Sequence, residues 1–461
     1  MEFGAAGPAD HPGLENILTV ATTALRLSRL PAHALGAERT EALREAWRAL
    51  WWSRLVVWVG GIGALVAVGP HRGNRSAFDP GGLTAPFGAG ADALVAPAAR
   101  WDSVWYLVIA SDGYLDDERA AFFPLYPLLL RLAGAVVGSP VIGGAVVSLL
   151  AFLAALYFLH RLTELELGPD AARATVWLCA LFPMSFFFSA VYSESLFLLL
   201  SVGAVYAARL RRWPLAAALG MLAAGTRSAG VLLLVPLVLE AIQARRAARA
   251  EAQSGPRLRR LPGAELWLLL VPAGLLAFLL HLALVGADPA GPFNAQEVWM
   301  RHFSAPLAGA WDGAVAAWDG ARQLLSGSRS PAYFEVAAGD PFSVAGHNLT
   351  LFAFLAGALA AAVGAIRRLP RIYGAYVVAM LALPLSFPVS TQPLMSLPRF
   401  VAVLFPLFMW SGLRLSGGFH EEPGAARAPA DRRRPRRWSL ALSAVALAAF
   451  SAQFTCWVWV A

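Results

Sequence analysis

Apolar residues in this chain come in long blocks, and the polar residues between them gather in short linkers rich in arginine. A block of roughly 17 to 25 apolar residues can cross a bilayer as a helix. Blocks at about 51–69, 141–160, 174–190, 195–209, 213–225, 229–242, 265–285, 348–366, 372–388, 398–414 and 438–460 therefore predict about eleven crossings. The fold class that follows is an all-α, multi-pass integral membrane protein. One block resists this scheme. Phe122 to Gly138, "FFPLYPLLLRLAGAVVG", is apolar enough to span, yet the charge pattern around it requires an odd number of crossings between Phe122 and His160. An interfacial or re-entrant helix is expected there, opened by Pro124 and Pro127 and with Arg131 reaching toward head groups. Backbone at partial membrane depth needs protein or a watery cavity to cover it.

Composition agrees with a lipid environment, since 58% of the 461 residues are hydrophobic and 14% are charged. The net charge of +8 does not point to nucleic acid, because the basic residues, all of them Arg, sit between apolar blocks. Their placement sets an orientation instead. Arg44, Arg48 and Arg54 precede or open the first block. Arg209, Arg211 and Arg212, then Arg245 to Arg260, then Arg367, Arg368 and Arg371, and finally "DRRRPRR" (Asp431 to Arg437) mark linkers that the positive-inside rule assigns to the cytoplasm. Residues 70–121, 191–194, 226–228, 286–347 and 389–397 are left for the opposite side.

The expected organisation is a cytoplasmic N-terminal segment over 1–50, a transmembrane module over 51–414, a basic cytoplasmic linker over 415–437 and a last crossing over 438–461. No removable signal sequence is evident, so Trp51 onward reads as a retained anchor. Cys179 and Cys456 lie inside apolar blocks and read as small core residues. No Walker glycine loop, dinucleotide fingerprint, paired metal-spaced His or nucleophile elbow is visible. The two halves show no clear repeat of the kind many secondary transporters carry.

Several polar residues share the non-cytoplasmic side. Asp102, in "RWDSVWYLVIASDGY", reads either as the cap of a juxtamembrane helix or as a general base at the membrane surface. Its neighbours Trp101, Trp105 and Tyr106 suit an interfacial belt and a sugar platform equally. Asp112, Asp116, Asp117 and Glu118 form either a solvated loop or a source of a second carboxylate or of oxygen ligands for a divalent cation. Glu194, in "AVYSESLF", is either a hydrated residue at a helix start capped by Ser193 or a functional ionisable group beside a span. Arg227 and Arg399 stand alone at boundaries; each either snorkels to lipid phosphate or binds the phosphate of a substrate.

Taken together, "RWDSVWYLVIASDGY", "FFPLYPLLLRL", "LFPMSFFFSAVYSESLFLLLSVGAVY", "GTRSAGVLLLVPL" and "SLPRFVAVLFPLF" occur in an order that resembles the PIG-V-like mannosyltransferases, over Arg100 to about Trp410. That family contains the second GPI mannosyltransferase of eukaryotes and bacterial homologues, within the GT-C class of membrane glycosyltransferases. The resemblance implies a GT-C-like bundle with large non-cytoplasmic loops at 70–121 and 286–347. It also implies a polyprenyl-phosphate sugar as donor and a lipid-linked or surface glycan as acceptor. Asp102 would be the general base of an inverting transfer. Arg100, Trp101, Trp105, Tyr106, Asp112, Tyr192, Glu194, Arg227 and Arg399 would bind substrate. No cofactor is implied beyond a candidate divalent cation, whose ligands stay unassigned. The expected location is the bacterial inner or plasma membrane, or the endoplasmic reticulum for a eukaryotic chain. One departure is Ala229, where relatives more often show Asn in the "TRSAG" turn. The alternative readings are a transporter or flippase of lipid-linked glycans and a structural subunit of a membrane complex.

Overall fold

The first helix, α1 (Ala32–Val68), runs 37 residues without a proline and stops where Gly69 turns at φ +77° ahead of Pro70. The computed structural model describes residues 32–254, 263–329, 340–390, 392–417 and 433–460. Residues 1–31 of the expected N-terminal segment and 418–432 of the expected basic linker lie outside these. Helix α1 is continuous across the boundary expected at 50/51. At about 1.5 Å per residue it is near 55 Å long, more than a bilayer needs.

The chain then makes a short helix, α2 (Ser103–Asp112), before the disputed block. That block forms α3 (Leu125–Val137), whose 13 residues reach only about 20 Å, short of the hydrocarbon thickness. Gly138, left-handed at φ +75°, turns it back into α4 (Pro140–Leu167), which Ser139 and Pro140 initiate. The two helices pack almost backbone to backbone. A Cβ on Gly143 would lie 2.4 Å from the Gly134 nitrogen, so only glycine fits there. The block expected to be interfacial or re-entrant is thus a short helix packed against α4.

After α4 come α5 (Pro169–Leu181) and α6 (Glu194–Arg209), separated by a loop at 182–193 that contains a 3-10 turn, Ser185–Phe188. This loop is fastened from behind by a buried arginine. Arg54 of α1 donates to Ser185 O at 2.8 Å, Ser185 Oγ at 2.8 Å and Ser189 Oγ at 2.7 Å. A cation inside a span is costly unless its donors are satisfied, and here they are. Ser148 of α4 adds a bond to Ala190 O at 2.7 Å. The loop thus leaves the bundle in one fixed direction.

Helices α7 (Trp213–Ala224), α8 (Leu234–Ser254) and α9 (Ala273–Leu284) follow, then α10 (Ala308–Ser326) within the long outer loop. The sequence had assigned no helix to 308–326. It arises because Gly309, Gly313, Ala316, Ala317 and Gly320 make one small, buried face, while Trp311 and Trp318 point outward. Helices α11 (Pro341–Arg368) and α12 (Arg371–Ser386) correspond to the blocks expected at 348–366 and 372–388. The block expected at 398–414 is instead two pieces, α13 (Leu397–Ala402) and α14 (Phe405–Ser416), broken at Val403 and Leu404 ahead of Pro406. The last helix, α15 (Arg433–Thr455), packs along α1.

Among the described residues six helices are long and apolar enough to cross a membrane: Glu38–Val68, Pro140–Leu167, Ser228–Ala250, Ala264–Leu284, Pro341–Arg368 and Trp438–Thr455. Leu125–Val137, Trp213–Ala224 and Arg371–Ser386 are shorter apolar helices. The protein is a multi-pass membrane protein, and the count of eleven crossings is not reached by length and composition alone. Two of the expected spans, 174–190 and 195–209, are short because the chain between them leaves helical geometry to build a site. Among the described residues the backbone makes no strand beyond an isolated bridge between Arg301 and Val389.

Candidate functional site

Two carboxylates stand at the starts of two helices. Asp102 occupies the N-cap position of α2, and Glu194 is the first residue of α6. Helix N-termini carry partial positive charge and favour anions there. Neither residue behaves as its simpler reading required. The Asp102 side chain makes no capping bond and is turned instead to Arg399, whose Nη1 donates to Oδ2. Glu194 is 1% exposed, not hydrated, and Ser193 leaves the helix uncapped because its hydroxyl faces Tyr106 Oη at 2.9 Å.

The two boundary arginines do not snorkel to lipid either. Arg227 lies 3.0 Å from Glu194 Oε1, and Arg399 Nε lies 3.4 Å from the same oxygen while pairing with Asp102. Four charged groups, two of each sign, make a chain Asp102–Arg399–Glu194–Arg227 drawn from positions far apart in the sequence. Such pairing offsets the cost of removing each charge from water. The rings of Phe197 and Phe400 face Arg227 at 5.9 and 5.4 Å from centroid to guanidinium carbon, and those of Phe187, Tyr192 and Phe400 face Arg399. These distances are within reach of cation–π attraction.

Tyr192 locks Asp102 in place. Its hydroxyl accepts the Asp102 backbone N–H at 3.0 Å and donates to Arg100 O at 3.3 Å. Burial pushes the Tyr192 phenol well above its ordinary pKa, with Asp102 adding to the effect, so it stays a neutral donor. Trp101 holds a left-handed φ of +54°, an uncommon conformation for a bulky residue. It is fixed there by Phe78, Trp457 and Trp459, with ring centroids 4.8, 5.4 and 5.0 Å away. Strained backbone of this kind persists only where surrounding structure over-determines it.

Above the charged chain opens a cavity of about 560 Å³, within the usual range for ligand sites. Trp101, Asp102, Tyr106, Tyr192, Arg227 and Arg399 line it. Glu194 does not line it and lies behind the two arginines it holds. Arg100 points elsewhere, donating from Nε to Thr455 O at 3.1 Å beneath the Trp457 ring, so it ties α2 to α15. Burial, with Arg75 adding to it, lowers the Arg100 pKa to about 10. Trp105 stacks on Phe122 at 5.7 Å and supports Trp299 without lining the cavity. Asp112 is exposed at the far end of α2.

In the neighbouring acidic group, Asp116 caps a 3-10 turn over Asp117–Ala121. Asp116 accepts the Arg119 N–H at 3.1 Å and pairs with its guanidinium at 2.7 Å. Among the described residues no three His, Cys, Asp or Glu side chains are grouped to hold a metal ion.

The sequence had passed over two contributions to the lining. The outer loop supplies Gln296, Glu297, Trp299, Arg301 and His302, and the chain's last residues supply Phe454, Trp459 and Val460. Arg301 lacked any boundary signal because it sits in a polar loop, where an arginine is unremarkable. Ala229, the departure in the "TRSAG" turn, also lines the cavity, beside Thr226 and Ser228.

Residues 89–245 match the family described as Mannosyltransferase (PIG-V), which bears out the resemblance over that stretch and includes Asp102, Tyr192, Glu194 and Arg227. The chain is 31% identical over 158 residues to GPI mannosyltransferase 2 of Cryptococcus neoformans, covering 32% of this chain and 37% of that protein. It is 36% identical over 153 residues to GPI alpha-1,6-mannosyltransferase 2 of Rattus norvegicus, covering 30% of this chain and 31% of that protein. The matched part thus spans about a third of the length of these curated relatives. Among solved structures, the apo oligosaccharyltransferase of Archaeoglobus fulgidus superposes with a TM-score of 0.42 at 15% identity, over 89% of this chain and 56% of that one. A superposition that loose carries no argument about this chain.

Proposed function

We propose that this chain is a membrane glycosyltransferase that moves a mannosyl group from a polyprenyl-phosphate donor to a hydroxyl of a lipid-linked or surface glycan, with inversion and with Asp102 as general base. The observation that carries the reading is the Asp102 carboxylate. It begins a helix without capping it, faces a cavity, and is positioned by Tyr192 and Arg399. Among the described residues its Oδ1 accepts no hydrogen bond, which leaves one oxygen for an incoming hydroxyl.

In the transfer, the acceptor hydroxyl gives its proton to Asp102 as its oxygen bonds to the anomeric carbon. The bond from that carbon to the phosphate oxygen breaks, and its electron pair leaves with the phosphate. A positioned base and cations near the leaving group are what such a step needs. Glu194 acts through Arg227 and Arg399 and is a positioning residue. No nucleotide site is needed for this donor class. Trp101 and Trp459 line the cavity, and the buried ring N–H of each has no partner among the described residues.

The non-cytoplasmic face is supported by the ends of the helices. Helix α6 has Glu194 at one end and Arg209 at the other, while α8 leaves the Arg227 turn and ends beyond Arg245, Arg246 and Arg249. The site therefore lies opposite the arginine clusters, as the positive-inside rule requires of an outward site. The corresponding location is the bacterial inner or plasma membrane, or the endoplasmic reticulum in a eukaryote.

The test is incubation of the purified protein with polyprenyl-phosphate mannose and candidate glycolipid acceptors, followed by mass analysis. A product heavier than the acceptor by one hexose, with release of polyprenyl phosphate, supports transfer. Movement of intact lipid-linked glycan across a vesicle without any new glycosidic bond would support a flippase instead.

A further inference from the structure

The phosphate of such a donor needs a cation, and the two arginines expected to supply it are already matched. Arg399 pairs with Asp102 and Glu194, and Arg227 pairs with Glu194. Together these four groups sum to zero charge. A phosphate seated on either arginine would compete with a carboxylate for the same donors, and would do so at the cost of the contact that aims Asp102.

Arg301 differs. It enters the cavity from the outer loop, and among the described residues no carboxylate oxygen lies within 4.0 Å of its guanidinium nitrogens. Its protein acceptors are two backbone carbonyls, Met395 O at 2.8 Å and Phe387 O at 3.4 Å. A guanidinium carries five N–H donors; with one committed to each carbonyl, three remain. Glu297 lines the same cavity but is exposed and is not paired with Arg301.

The backbone around Arg301 is held with some strain. Met300 has φ +54°, its carbonyl accepts the Ser390 N–H at 3.0 Å, and the Arg301 N–H is bonded to Gln296 O at 3.0 Å. The guanidinium carbon lies 5.5 Å from the centre of the Phe400 ring, which also faces Arg227 and Arg399. One ring thus faces all three cations.

We propose that Arg301, and not Arg227 or Arg399, receives the phosphate of the lipid donor, through the part of its fork that the two carbonyls leave open. The assignment rests on the phosphate-bearing donor proposed above. Burial lowers the Arg301 pKa to about 10, with the nearby Arg399 cation adding to the effect and Asp102 opposing it, so the group remains charged at neutral pH. An anion is the missing counter-charge, and a planar fork suits phosphate. The carbonyls hold the side chain in place before the donor arrives, and that preorganisation spares ordering cost on binding.

The experiment measures binding of undecaprenyl phosphate and of uncharged undecaprenol to the purified protein in nanodiscs, read by quenching of the cavity tryptophans. Wild type, Arg301→Gln and Arg301→Lys are compared, with inorganic phosphate as a competitor to separate a lipid-borne from a free anion. Wild type should prefer the phosphate by about ten- to a hundredfold, the scale of losing charge-assisted hydrogen bonds. Arg301→Gln should remove that preference while polyprenol binding and thermal midpoint stay in place, and Arg301→Lys should restore only part of it. Should Arg301→Gln not fold, Arg301→Lys alone decides: undiminished preference there overturns the fork geometry. Preference retained in Arg301→Gln overturns the assignment and leaves the donor class standing. No preference in wild type overturns both. Displacement by millimolar inorganic phosphate with no contribution from the lipid would mean a free-anion site and would also refute the proposal.

Discussion

Replacing Asp102 by Asn separates catalysis from stability, because the structure gives each a different size. The side chain keeps its volume, and its remaining carbonyl oxygen can still accept from Arg399. The charge is lost, so Arg399 keeps Glu194 as its one carboxylate partner at 3.4 Å. Removing one member of a fully buried pair costs about 3–5 kcal/mol. Here Asp102 and Arg399 retain 18% and 17% side-chain exposure toward the cavity, and both a second carboxylate and an amide acceptor remain. The stability loss should therefore be about 1–2 kcal/mol. The rate loss should be larger, about a hundred- to ten-thousandfold, which is about 3–5 kcal/mol in the barrier. The assay pairs turnover, measured by product mass, with thermal unfolding in detergent. Adding Arg399→Gln to Asp102→Asn tests what the arginine does. If Arg399 acts by aiming Asp102, the double variant should turn over no more than slightly slower than Asp102→Asn, because coupled residues are not additive. Full turnover in Asp102→Asn, or a rate loss no larger than its loss of folded protein, refutes the base.

Three further expectations concern the frame around the site. Single Cys residues at Ser111 and Ser326 should react with an impermeant maleimide from outside the cell and one at Arg249 should not, with buried Cys179 and Cys456 silent; external labelling at Arg249 would invert the orientation. Gly230→Ala should lower both thermal midpoint and turnover, because its Cβ would lie 2.3 Å from the Ala223 backbone and push the Arg227 turn aside; unchanged values would mean that this turn yields freely. Glu240→Gln should destabilise by about 3 kcal/mol, since it weakens the buried pair to Arg209 at 2.9 Å, with the more exposed Arg211 at 3.2 Å adding little, yet it should leave donor KM unchanged because the cluster lies at the opposite helix ends. A changed donor KM would show that the two ends are coupled.

Helix positions were legible where hydrophobic blocks and arginine linkers alternate: α12 lies close to its expected bounds, while α4 and α11 contain their expected blocks and run about two turns beyond one end. The pattern was weaker wherever the backbone departs from one rod. Helix α10 hides in a polar loop because its buried face is made of Gly and Ala, which raise hydropathy little. The break between α13 and α14 falls inside a block that stays mostly apolar, where Pro406 was its one local mark. Asp102, Glu194, Arg227 and Arg399 could each be picked out as charges at membrane boundaries, but their partners could not be named. Asp102 and Arg399 are separated by 297 positions, and their meeting is decided by tertiary packing. Arg301 was invisible for the same reason: what distinguishes it is that, among the described residues, no carboxylate pairs with it, which only the fold reveals.

The central claim is that a lipid-phosphate sugar reacts in this cavity against Asp102. The most direct measurement is a cryo-EM structure of the protein with a non-hydrolysable phosphonate analogue of polyprenyl-phosphate mannose. The expected result is the phosphonate on Arg301 with the sugar between Trp101 and Trp299, and with Asp102 facing the anomeric carbon across the space of one acceptor hydroxyl. A phosphonate on Arg227 or Arg399 would correct the anion site alone. Density for the analogue outside the cavity, or a sugar whose anomeric carbon is turned away from Asp102, would contradict the claim itself.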